Sequence, residues 1–328
     1  YGMSPRGTPT AAALLLMCGT AAFAPDSVSR LSPWPGDGKF MCRLSVKRKR
    51  GNGVRKKPQI CDDRGAPWGG DDAPPPRTRR AWTRIGRCGA PSPDPPLDVC
   101  TVEIVDTRWW AKNKNPYGAR LWPPSLAIAR FLAPHLSNGG MCQRQHVLEL
   151  GCGTGLISIA AAGCGASVLA TDVSQAALSL AWEGWAETQK RPGTLDGAMT
   201  VKYFDLTSRD PLPLPPACDY EEGGSPRCIV VASAVLYEST LAGAVARRVF
   251  EACEKGAYFI LGDDDTSNRE GGAERFEAEL AQLENESGVS LRRSCSHEIV
   301  KHETFGWTEK RVRILHINPP LHISLEQE

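Results

Sequence analysis

The sequence predicts an α/β fold: a mostly parallel seven-stranded sheet, helices on both faces, closed by an antiparallel hairpin at the C-terminal end. Three observations carry this. From about residue 98 onward, short apolar runs alternate with helix-periodic segments, the pattern of a parallel sheet with crossover helices. A glycine-rich turn, Gly151-Cys152-Gly153-Thr154-Gly155, stands between one such run and the helix after it. The last two alternating runs are joined by a turn too short for a crossover, so they pair antiparallel.

Taken in order, Cys100–Trp110 (CTVEIVDTRWW) alternates like a strand and is expected as an opening β-ribbon. Pro123 to Leu136 places Leu126, Ile128, Ala129 and Leu132 at helical spacing, and Pro123 and Pro124 suit a helix start. His146–Leu150 reads as a short buried strand, followed by a helix through Leu156–Ala160. Ser167–Thr171 is the next strand, and a helix with Ser174 as N-cap runs to Gln189. Strands are expected at Thr200–Phe204, Cys228–Ser233 and Ala257–Leu261, and helices at Leu241–Glu254 and Gly272–Glu286. Ser294–His302 and Glu309–Ile317, with Gly306 in the turn between them, form the closing hairpin.

Composition divides the chain. Tyr1–Leu97 carries 17 Lys/Arg against 7 Asp/Glu, whereas Asp98 onward carries 22 against 30; 14 of the 26 prolines precede Asp98. The reading is a signal-like segment at 1–25, a basic proline-rich leader at 26–97, and a folded domain at 98–328, large enough for a substantial core. Ala11–Ala24 is an apolar run too short to span a bilayer but suited to a signal core, closing in Ala22-Phe23-Ala24-Pro25. That order resembles the bipartite plastid-targeting leaders of algae with secondary plastids; mitochondrion or cytoplasm are the alternatives. Cys61–Pro96 lacks apolar periodicity and is expected to be largely disordered. The clusters Lys47–Arg50 and Arg55–Lys57 accompany no nucleic-acid fold signature, so a nucleic-acid partner is not expected, nor a membrane partner for the mature form. The 12 cysteines include no CxxC pair, which points to a reducing compartment without a structural metal or disulfide framework.

The chemistry gathers at strand ends. Glycines between strand and helix let the backbone turn sharply and approach a ligand without a Cβ in the way. The spacing here is GxGxG behind Glu149, whereas dinucleotide folds more often show GxGxxG over a pyrophosphate. Asp172 ends the second parallel strand, where a carboxylate can accept both ribose hydroxyls; that alone also fits NAD. Asp205 follows the third, where an acid can accept from an adenine amine, or stand as an exposed loop acid. The set of Gly151, Gly153, Gly155, Glu149, Asp172 and Asp205 fits S-adenosyl-L-methionine, which has no phosphate and whose amino group favours a carboxylate such as Glu149.

Tyr117-Gly118-Ala119-Arg120-Leu121-Trp122-Pro123-Pro124, "VLELGCGTGLISIAAAGCGASVLATD", "SAVLYESTLAGAVARRVFEA" and Ile260-Leu261-Gly262-Asp263 leading to Arg269 and Phe276 carry a family resemblance over about Tyr117–Ile317. The chain resembles the seven-strand class I methyltransferases, within them the family-16 protein-lysine methyltransferases, and especially the branch acting on the electron-transfer flavoprotein β subunit. The resemblance implies a Rossmann-like fold, S-adenosylmethionine as cofactor, a protein lysine as acceptor and a monomer. It makes Trp122 similar to a residue lying over the cofactor; a core tryptophan packing helix onto sheet is the alternative. It implies Tyr237 as the residue that positions the amine, with Ser233 as a neighbour; a strand-end packing tyrosine is the alternative.

One departure matters. The family hallmark after the fourth strand is an acid followed three positions on by tyrosine, and this chain reads Ala234-Val235-Leu236-Tyr237. The missing acid keeps two other readings open: a small-molecule methyltransferase, and a cofactor-binding but catalytically silent interaction protein. Asp263-Asp264-Asp265 is read as loop chemistry like the family's "GD" loop, not as a metal site, since consecutive residues rarely converge on one ion.

Overall fold

The computed structural model describes residues 76–86, 96–112, 116–137, 145–194, 197–215, 228–264 and 271–319. The signal-like segment, the basic clusters and the Phe23 region therefore lie outside the described residues, as does Asp265.

A two-stranded ribbon opens the fold: β1 (Thr78–Ile85) pairs antiparallel with β2 (Leu97–Ile104), from Thr78 opposite Ile104 to Ile85 opposite Leu97. The ribbon is as expected, but its first strand lies inside the segment expected to be disordered. Its signal is weak because Ala81, Thr83 and Ile85 are its buried residues, Arg79 shares their face, and Arg80, Trp82 and Arg84 are exposed. The strand expected to run to Trp110 instead stops at Ile104. Asp106 ends it: its carbonyl accepts from the Trp109 and Trp110 N–H groups and its carboxylate from the Arg108 N–H (3.0 Å). That is the signature of an N-cap, and it starts α1 (Thr107–Lys112), which buries Trp109.

Beyond α2 (Pro123–Ser137) come β3 (His146–Leu150), α3 (Leu156–Gly163), β4 (Ser167–Asp172), α4 (Gln175–Thr188), β5 (Ala198–Tyr203), β6 (Cys228–Ser233), α5 (Ser239–Glu254), β7 (Tyr258–Asp264) and α6 (Gly272–Ser287). β8 (Arg293–His302) and β9 (Trp307–Ile317) complete the sheet, whose order is β5-β4-β3-β6-β7-β9-β8. β9 runs antiparallel to both neighbours, and the other five neighbouring strands pair parallel, as expected from the sequence. Ser174 caps α4 as expected, its hydroxyl accepting the Ala177 N–H.

Each face of the sheet has its own core. Val147, Ile229, Ile260 and Ile314 pack against α2, α3 and α4, while Leu148, Val230, Phe259 and Leu315 pack against α5 and α6. Residues one apart on a strand thus divide between the two layers, as pleating requires. Because β4 lies on one side of β3 and β6 on the other, strand order reverses at β3. A crevice forms at such a switch point, outside the carboxyl ends of the strands. Among the described residues no helix is long and apolar enough to cross a membrane.

Candidate active site

The crevice holds a cavity of about 250 Å³ bounded by the ends of four parallel strands: Gly151 and Gly153 after β3, Asp172 at the tip of β4, Asp205 after β5, and Ser233 and Ala234 at the end of β6. The cavity draws its other walls from the Tyr117–Trp122 segment and from the start of α5.

Backbone shapes its floor. Gly151 (φ 69°) and Gly153 (φ 52°) occupy the left-handed region that favours glycine. A Cβ on Gly153 would lie 3.2 Å from the Gly118 carbonyl oxygen, so the turn and the Tyr117–Trp122 segment approach through glycine alone. Gly155 has a different task. It does not line the cavity; a Cβ there would lie 2.6 Å from the Ala181 Cβ, so this glycine lets α3 and α4 pack. Its expected place among the cavity glycines is corrected on that ground.

Asp172 is 7 % exposed, and both carboxylate oxygens are fixed by backbone donors: Oδ2 by the Gly153 N–H (2.9 Å) and Oδ1 by the Ser174 N–H (2.8 Å). A carboxylate so held presents fixed acceptors to a diol. Asp205 accepts from the Thr207 N–H (2.8 Å) and hydroxyl (2.7 Å) through Oδ1. Both acids line the cavity.

Glu149 does not. Its Oε2 accepts the Ser158 N–H (2.9 Å) and the Ser158 hydroxyl inside the first turn of α3, and Oε1 is buried with no hydrogen-bond partner. Burial, before any neighbouring charge, pushes the carboxyl up to about 8. Glu149 is thus a strut between strand and helix that does not line the cavity, in place of its expected position as a carboxylate facing the cofactor's amine. Burial likewise holds the Cys152 thiol well above its ordinary value.

Trp122 lines the cavity, half-buried, and its indole N–H donates to the Tyr117 carbonyl (3.0 Å). The Tyr117 ring lies 6.2 Å from the Trp122 ring and 5.4 Å from the Tyr237 ring, so three aromatics meet at one end. Ser233 is buried there with its hydroxyl 2.8 Å from that of Ser125 on α2. Tyr237 and Ser233 thus share the cavity with Asp172.

Two positioning residues went unread in the sequence. Glu103 of β2, 1 % exposed, accepts the Leu121 N–H (2.8 Å) and the Arg79 guanidinium (2.5 Å), tying the ribbon to the segment that carries Trp122. Arg248 of α5, 6 % exposed, donates to the carbonyls of Leu206 (3.1 Å), Ser208 (2.7 Å) and Asp210 (2.7 Å) and lies over the Phe204 ring. It clamps the loop whose Phe204, Asp205, Leu206 and Thr207 form one cavity wall. The signal was legible: Arg248 falls at helical spacing with the buried Ala244, Val245 and Ala252, where an exposed arginine has no place.

These residues fit S-adenosylmethionine: a glycine turn, an anchored acid at the tip of β4, a second acid after β5, and aromatic residues in the same lining. A lysine methyltransferase family model matches residues 105–184. The mouse (Mus musculus) protein-lysine methyltransferase METTL21E is 42 % identical over 64 residues, covering 20 % of this chain and 26 % of that one. The zebrafish (Danio rerio) electron transfer flavoprotein beta subunit lysine methyltransferase is 41 % identical over 73 residues, 20 % of this chain and 27 % of that one. The chain thus spans about a quarter of the length of these relatives. Among solved structures, magnesium protoporphyrin IX methyltransferase from Synechocystis PCC 6803 with bound SAH gives a TM-score of 0.36 at 17 % identity, over 58 % of this chain and 80 % of that one. At that score the likeness adds nothing to the fold, which rests on the sheet order itself. Over residues 105–184, the stretch holding the Trp122 segment, the glycine turn and Asp172, this chain matches the lysine methyltransferase family.

Proposed function

We propose that this cavity holds S-adenosylmethionine and that the protein methylates a lysine side chain of a protein substrate. The observation that carries the reading is one cavity lined both by the doubly anchored Asp172 with the glycine turn and by Tyr237 beside the Tyr117 ring.

When bound, the cofactor supplies a methyl group on a sulfonium, a carbon already activated toward nucleophiles. The protein's part is placement. Asp172 holds the ribose hydroxyls, Asp205 and the clamped loop meet the adenine, and the Gly151–Gly153 turn lets the ligand approach backbone. Tyr237 positions the acceptor nitrogen through its hydroxyl, which aligns the reactants and excludes water. A lysine amine ordinarily titrates near 10.4; an apolar cavity beside a cation favours its neutral, nucleophilic form. The absent acid at Ala234 favours a second reading, methylation of a small amine.

The test is transfer of labelled methyl from S-adenosylmethionine by the full chain into a cell extract, with acid precipitation and hydrolysis. Label recovered as methyl-lysine in the precipitate supports the reading. Label only in the soluble fraction moves the function to a small acceptor, and no label despite cofactor binding makes the protein a silent binder.

A further inference from the structure

The acid missing at Ala234 has a neighbour across the sheet. A second cavity of about 30 Å³ shares Tyr117, Trp122, Ala234 and Tyr237 with the larger one, and is completed by Pro123, Asp263 and Asp264. The Ala234 N–H donates to the Gly262 carbonyl (2.9 Å), so the end of β7 runs directly beside the position where the family carries its acid.

Pleating gives the two carboxylates that line this space different strand faces. A Cβ on Gly262 would meet Ile128 and Pro124, so this residue faces α2. Asp264, two positions on, shares that face, and its register partner Val312 is buried in the core on the α2 side. Asp263, which the β6–β7 register continued by one residue sets opposite Ala234, also lines this cavity, while its register partner on β9, Arg313, pairs with Glu277 of α6. The Asp263 Oδ1 accepts the Asp264 N–H (3.0 Å), which steadies the strand end.

We propose that Asp264 receives the acceptor's ammonium group, supplying from the end of β7 the carboxylate that Ala234 lacks. The inference rests on the methyl-transfer reading and narrows its acceptor to a primary ammonium on a slender chain, whether a protein lysine or a free amine. Three aromatic rings beside a carboxylate form a cation-attracting rim, through ring quadrupoles and charge together. Asp264 orients the cation at this rim; the amine gives its proton to solvent before entering the larger cavity, where the N–CH3 bond forms as the S–CH3 bond breaks.

The test compares wild type, Asp264→Asn, Asp263→Asn and the double variant Ala234→Asp/Asp264→Asn as full chains. Two quantities are read: the initial rate of labelled methyl transfer from S-adenosylmethionine into extract, in precipitate and soluble fractions, and affinity for S-adenosylhomocysteine by calorimetry. The expectation is that D264N lowers transfer at least about tenfold while product affinity stays within about twofold, that D263N loses less, and that the double variant regains most of the rate. Loss in the precipitate identifies a protein lysine, and loss in the soluble fraction a free amine. Transfer by D264N at wild-type speed overturns this inference and leaves the methyl-transfer reading standing, as does parallel loss of product affinity or failure of the double variant to recover. Wild-type chain that binds the product analogue but labels neither fraction overturns both.

Discussion

Two sets of residues line the cavity and are built differently. The set around Asp172 is fixed through backbone: glycines at positive φ, a carboxylate held by two N–H donors, and a loop whose carbonyls Arg248 clamps. The set around Tyr237 is made of side chains, with three aromatic rings, paired serines and carboxylates from a neighbouring strand. Even its one backbone irregularity is of another kind, since Ala234 sits at φ 54° without being glycine. A cofactor common to many acceptors suits a rigid socket. The acceptor end, where specificity is set, uses groups that substitution can move from one strand to another.

Changes at the rigid end should therefore be severe and changes at the other end selective. The largest effect is expected behind the cavity, where α3 meets α4, from Gly155→Val, which puts a branched side chain at φ 78° and 2.6 Å from the Ala181 Cβ. It should destabilise the fold by about 3 kcal/mol or more, read as a lowered denaturation midpoint. Next comes Arg248→Ala. Releasing three carbonyls and Glu251 should cost about 2–3 kcal/mol of stability and weaken product-analogue binding about tenfold, because the adenine wall loosens. A variant that lost stability but bound as tightly as wild type would separate the clamp from the site.

Glu149→Gln sharpens the comparison through pH. The wild-type carboxyl is raised from 4.5 to about 8 in the folded protein. The folded state thus retains a proton that the unfolded chain has released, and stability from this group is fully present below about 4.5 and lost as pH rises to about 8. Glutamine keeps an acceptor for Ser158 and cannot ionise, so denaturation of the variant should vary less with pH across that window. An unchanged pH profile would mean that Glu149 is ionised in the folded state. The smallest effect is expected from Ala234→Gly: removing a Cβ at positive φ should stabilise by at most about 1 kcal/mol, offset partly by greater freedom of the unfolded chain. Calorimetry should find product-analogue affinity unchanged.

The same contrast explains what could be read from sequence. His146–Leu150 and Cys228–Ser233 were legible to the residue because buried parallel strands are continuous apolar runs bounded by turns. The glycine turn and the acids ending two strands were legible because backbone chemistry leaves fixed spacing. β1 was missed because its inward face holds little more than Ala81, Thr83 and Ile85, and Trp109 was misplaced because Asp106 breaks an alternation that continues past it. Glu149 was misread because sequence shows a carboxyl but not its burial, and Gly155 because a packing glycine and a ligand-facing glycine look alike. Asp264 reads as loop chemistry in the sequence; the β6–β7 register, continued by one residue, sets Asp263 opposite Ala234, and the small cavity adds Asp264 beside it.

The measurement that tests the account most directly is titration of the full chain with S-adenosylhomocysteine, wild type against Asp172→Ala and Tyr237→Phe, alongside labelled methyl transfer by the same three. Loss of the anchored carboxylate is predicted to weaken binding on the order of 100-fold or more. Tyr237→Phe is predicted to bind within about threefold of wild type while transferring methyl at least about tenfold more slowly. Tight binding by Asp172→Ala, or equal transfer by Tyr237→Phe, would contradict a cavity divided between a rigid cofactor socket and a separate acceptor end.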